Sequence, residues 1–99
     1  MTWSVTNKGP DDRHELVVIK TDLAPDALPT KPDGSVDEEG NGIDIIGEIP
    51  EFPPGQTKAT TQNVLAGRYV LICNVVEVNN GQTESHYQEG MRTAFTVTG

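Results

Sequence analysis

AGRYVLICNVVEVNNGQTESHYQEGMRTAFTVT, residues 66–98, decides how this chain is read. AGRYVLIC (66–73) leaves a glycine turn and is dense in apolar and aromatic residues, so it reads as a central strand. Asn-Asn-Gly at 79–81 is a hairpin-turn signal, which makes VVEVNNGQT (75–83) an outward hairpin. RTAFTVT (92–98) reads as the final strand. Strands 66–73 and 92–98 are expected to pair antiparallel, so the connection between them sits at one pole of the fold. That region holds the single cysteine, Cys73, one of the two histidines, His86, and Met91, the only methionine besides Met1.

The rest of the chain has the same grain. TWSVT (2–6) alternates, with Trp3 and Val5 on one face. NKGPDD (7–12) is a loop. HELVVIK (14–20) is β-branched, and His14, Leu16 and Val18 share a face because side chains alternate along a strand. Residues 21–42, with three prolines and three glycines, form a long connection with one helical turn around Ala24–Leu28. IDIIGEI (43–49) is a further strand, PEFPPGQ (50–56) a corner, and TKATTQNV (57–64) a Thr-rich strand with an exposed face. No repeat or heptad pattern occurs. Short strands separated by Pro/Gly corners predict an all-β, antiparallel β-sandwich. A chain of 99 residues supports one domain, 1–99, with one modest core.

Composition narrows the function. The formal net charge of -8 argues against nucleic acid, whose phosphates need a basic stripe, and favours a protein partner with a basic face. No apolar run approaches the length of a membrane span, and no basic-then-apolar leader opens the chain. A single cysteine makes no internal disulfide; it is a small hydrophobe, a reactive thiol or a metal ligand. DGSVDEEG (33–40) lacks EF-hand spacing and reads as a solvated acidic loop. Tyr87 reads equally as a partner contact or as packing. No triad or nucleophile elbow is present, and no enzyme is expected.

Topology brings the scattered candidates together. If 2–6 and 14–20 are antiparallel neighbours, His14 opens the strand that leaves the 7–13 loop. Cys73 shares its strand face with Tyr69 and Leu71, and Met91 shares parity with Phe95 and Val97. When 66–73 runs toward the pole from which 14–20 departs, His14, Cys73, His86 and Met91 meet. A thiolate, two imidazoles and a thioether form a soft donor set that suits copper cycling between Cu(I) and Cu(II). Singly, each residue has a plainer role in packing or at the surface; it is their joint spacing that points to a metal.

The motifs themselves resemble a family. GRYVLIC (67–73) resembles the G-x-Y-x-hydrophobe-x-Cys strand of cupredoxins, the plastocyanin and azurin superfamily. HYQEGM (86–91) resembles their His-x4-Met ligand loop, and TNKGPDDRHELVV (6–18) their turn leading to the first ligand histidine. The resemblance runs from Thr2 to Thr98 and is weakest at 21–56. It implies a Greek-key sandwich with one type 1-like copper per chain, held by His14, Cys73 and His86 in a plane with Met91 axial. It also implies electron transfer and an extracytoplasmic location, periplasmic or secreted.

Three departures from the pattern matter. Twelve residues separate Cys73 from His86, where plastocyanin-like and azurin-like proteins place only a few; the extra hairpin accounts for them. Glu15 stands where those proteins have an asparagine that ties the ligand loops, so Asn74 or Ser85 is expected to orient the ligands instead. The first one or two strands of the family have no match here, which predicts an exposed edge and a homodimer formed along it. Electron entry is expected at the edge of His86. A copper carrier, zinc in the same ligands, and a metal-free binding module remain the alternatives.

Overall fold

The computed structural model describes residues 1–7 and 13–98; the expected loop at 7–12 lies, beyond Asn7, outside them. Among the described residues eight strands follow one another: β1 (Thr2–Thr6), β2 (His14–Lys20), β3 (Asp44–Phe52), β4 (Thr57–Thr61), β5 (Gly67–Ile72), β6 (Val76–Asn79), β7 (Gln82–Ser85) and β8 (Arg92–Val97). The described residues contain no helix; the expected helical turn at Ala24–Leu28 is a single turn closed by Ala27 N–H to the Ala24 carbonyl.

All strand pairs are antiparallel. β3-β2-β5-β8 form a four-stranded sheet, while β1-β4 and β6-β7 form two-stranded ones. The pairing expected between 2–6 and 14–20 does not occur: β1 pairs with β4, Trp3 facing Thr60. β2 instead takes β5 and β3 as its neighbours. The physical reason is burial. Val17, Val18 and Ile19 are all fully inaccessible, so β2 lies inside the sheet with both faces covered, and β1 serves as cover, laying Trp3 and Val5 over one of those faces.

The two faces of the main sheet have different covers. On one, Leu16, Val18 and Tyr69 pack with Ile49 and Phe52 under Trp3 and Val5 of β1. On the other, Val17, Ile19, Val70 and Ile72 pack against Leu28, Val36 and Tyr87, joined by Leu23, Ile43 and Ile45. The long connection after β2 is therefore a cover for the second face. Its acidic groups cap its own turns: Asp33 accepts from the Ser35 backbone N–H and hydroxyl, and Asp37 from the Glu39 N–H. The serine bonds hold the Asp33 carboxyl below the usual range.

The corners follow local chemistry. Pro54-Gly55 has the left-handed glycine (φ 86°) of a type II turn. Asn80 and Gly81, at φ 52° and 78°, form the primed turn of the β6–β7 hairpin. β3 runs on through Pro50 to Phe52, past the expected corner; it lies at the sheet edge, and its register against β2 shifts between His14 and Leu16, so the missing proline N–H is tolerated. β4 stops at Thr61, and the chain then crosses from the small sheet to the large one. There the Tyr69 hydroxyl donates to the Leu65 carbonyl four residues upstream, at 2.6 Å. Tyr69→Phe removes this bond and is expected to lower the unfolding free energy by about 1 kcal/mol, measured by urea denaturation.

Candidate metal centre

β2 and β5 place the first two candidate ligands. Val17 lies opposite Ile72, so the start of β2 and the end of β5 share a pole, with His14 opening one and Cys73 following the other. His86 follows β7, and its N–H bonds to the Val75 carbonyl, which returns the chain to Cys73 after the hairpin. Met91 is fixed through its backbone: its N–H donates to the His86 carbonyl, and its carbonyl accepts from Cys73 N–H. All four sequence-predicted residues thus arrive at one pole.

Three of them present donor atoms to a single point. His14 Nδ1 and His86 Nδ1 are 3.2 Å apart, and Cys73 Sγ lies 3.7 Å from the first and 3.5 Å from the second. The circle through the three atoms has a radius of about 2.0 Å, the length of a metal–imidazole bond. The group could hold a metal ion. Met91 lines the clefts on either side of the group, one with His14 and Cys73, the other with His14 and His86. Met91 itself is exposed, at 39 %.

Burial sets the electrostatics. Cys73 and His86 are only 4 % exposed, and His14 is half-buried. Desolvation pushes the Cys73 thiol up, against the backbone N–H groups of Glu15 and Val75. Cysteine binds metal as the thiolate, so a metal taken up here would displace the thiol proton. Once the thiolate exists, the Glu15 N–H, 3.4 Å from the sulfur, is positioned to stabilise it.

The loop tie expected to be missing at Glu15 is present in another form. The Glu15 carboxylate accepts from the Asn74 backbone N–H at 3.1 Å, joining β2 to the residue after Cys73. Burial and the neighbouring Glu38 raise the Glu15 carboxyl above its ordinary value. Asn74 and Ser85, expected to orient the ligands, anchor the 33–38 turn: Asn74 bonds both N–H and carbonyl of Val36, and the Ser85 hydroxyl donates to the Gly34 carbonyl. Tyr87 proves to be packing, at 3 % exposure, with its hydroxyl accepting from Leu28 N–H and donating to the Pro25 carbonyl.

One residue at the site escaped the sequence reading. Glu77 Oε2 lies 3.3 Å from His86 Nε2. Its signal was a lone carboxylate inside the valine-rich strand VVEV. The exposed ring edge expected at His86 is not found: Glu77 of the hairpin stands against that ring, which is buried, and His14 is the more accessible of the two.

Comparison with protein-family models, with curated proteins and with solved structures finds no match for this chain. No helix among the described residues is long and apolar enough to cross a membrane.

Asn74→Ala leaves the backbone N–H and carbonyl of Val36 without their side-chain partner. The variant should lose about 2–3 kcal/mol of stability, read by denaturant unfolding.

Proposed function

We propose that this chain is a cupredoxin-like protein that holds one copper ion through His14, Cys73 and His86, with Met91 as a weak axial donor, and passes single electrons. The observation that carries the reading is the triangle of one sulfur and two ring nitrogens whose common centre lies about 2.0 Å from each. Copper in such a soft, trigonal set moves between Cu(I) and Cu(II) with little change of geometry. The Tyr69–Leu65 bond supports a Greek-key sandwich, since a tyrosine bonded back to the chain just upstream marks that crossover in β-sandwiches.

The chain's own residues supply the rest. Burial of Cys73 and His86 excludes water from the sulfur and from one ring. The Glu15 N–H holds the sulfur, and the Glu15–Asn74 bond holds the loops on both sides of it. Electron entry is at the half-buried edge of His14. Glu84 and Glu89 line the cleft beside His14 and Met91, and the net charge of -8 would steer a partner with a basic face to that side. An extracytoplasmic setting belongs to the same reading, as does pairing with a second copy along an outer edge of the β1–β4 sheet. A monomer mass that stays constant with concentration would remove the pairing.

Adding Cu(II) to metal-free protein with Cys73 reduced should produce an intense visible thiolate-to-copper band. A colourless protein, whether it takes zinc or no metal at all, would overturn the copper assignment. Fast electron self-exchange would distinguish electron transfer from copper carriage, for which exchange would be very slow. Cys73→Ser should abolish both band and redox response, read by absorption and voltammetry. Met91→Leu should keep copper but raise its potential, because a donor to the oxidised ion is lost; an unchanged potential would mean that Met91 is not axial.

A further inference from the structure

The twelve residues between Cys73 and His86 are mostly the β6–β7 hairpin, and the copper reading by itself gives that hairpin no task. Glu77 supplies one. It sits on β6 with its Oε2 3.3 Å from Nε2 of His86. The other nitrogen of the same ring, Nδ1, faces His14 Nδ1 and Cys73 Sγ. The ring is therefore held at both ends. A carboxylate only accepts, so a neutral ring with its proton on Nε2 would present a donor to Glu77 and leave the Nδ1 lone pair to face the triangle.

The hairpin's register makes this placement hard to explain by the hairpin's own stability. Val76 pairs with Ser85 and Glu77 with Glu84, so two carboxylates stand directly opposite one another, an unfavourable pair on a sheet. A ring N–H presented to Glu77 would offset part of that repulsion. Glu77 is also only partly exposed, its side chain at 24 % against 5 % for His86, which keeps water from competing for Nε2.

We infer that Glu77 is a positioning residue: the β6–β7 hairpin folds back to set a carboxylate behind His86, fixing the ring's tautomer and orientation and strengthening Nδ1 as a donor. The inference rests on the copper reading for the identity of the ion, but its claim about the tautomer holds without any metal. Carboxylate–histidine pairs of this kind orient metal ligands in general. Here the pair also explains the length of the ligand loop. A negative charge behind the ligand favours the more highly charged state of a bound ion, so Glu77 should hold the potential down.

Two measurements test the proposal. Imidazole nitrogen shifts of the metal-free, 15N-histidine-labelled protein should show His86 protonated at Nε2 and not at Nδ1. Glu77→Ala should mix the two tautomers. Copper titration should then show affinity falling about 10–100-fold in Glu77→Ala. Glu77→Gln, whose side-chain oxygen still accepts from Nε2–H, should recover most of that loss yet carry a higher potential, and a folded Glu77→Gln variant controls for damage to the hairpin. His86 tautomers unchanged in Glu77→Ala, or copper bound as tightly as by the parent, would overturn the proposal. A parent protein with the Nε2–H tautomer that takes no copper would remove the copper reading and leave the role of Glu77 in place.

Discussion

The antiparallel pairing of β2 with β5, Val17 opposite Ile72, is the constraint on which the rest of the molecule depends. It alone brings His14 and Cys73, 59 positions apart, to one pole. It is also hard to shift. A slip of one residue would exchange the faces of every side chain on the strand. Here each face has its own cover, β1 on one side and the 21–43 connection on the other, so neither set of residues fits the opposite layer. Each of the fully buried Val17, Val18 and Ile19 contributes roughly 1.5–3 kcal/mol on burial, against about 0.5–1.5 kcal/mol for a typical hydrogen bond.

Around that pairing the loops that carry the candidate ligands are tied to one another by the chain's own bonds. Cys73 N–H reaches the Met91 carbonyl, Met91 N–H the His86 carbonyl, and His86 N–H the Val75 carbonyl. Glu15 closes the circuit from β2 to Asn74. The candidate donor atoms are therefore placed by backbone bonds of the chain itself, and a site ordered in this way would demand little rearrangement from an incoming ion. The 33–38 turn, pinned by Asn74 and Ser85, buttresses the same loops from behind.

Much of the architecture was legible from residue patterns. Alternation and β-branching marked the strands, Asn-Asn-Gly marked the hairpin, and the Pro-Pro-Gly corner lay where its turn type requires a left-handed glycine. The gathering of His14, Cys73, His86 and Met91 at one pole could be argued from strand direction, because His14 opens β2, Cys73 follows β5, and His86 and Met91 lie in the connection to β8. The partner of β1 could not be read. A strand's neighbours depend on which apolar surfaces meet across the whole chain, and Thr-rich β1 and β4 carry little of that information locally.

What the sequence determined by itself was the donor chemistry and the strand periodicity, since both are properties of residue type and spacing. Only the tertiary structure decided that Glu77 stands behind His86, that Glu15 makes the loop tie, and that His14 rather than His86 keeps an accessible edge. Those facts arise from how a hairpin folds back on its own strand end, and contacts between side chains distant in the chain leave no periodic mark in it.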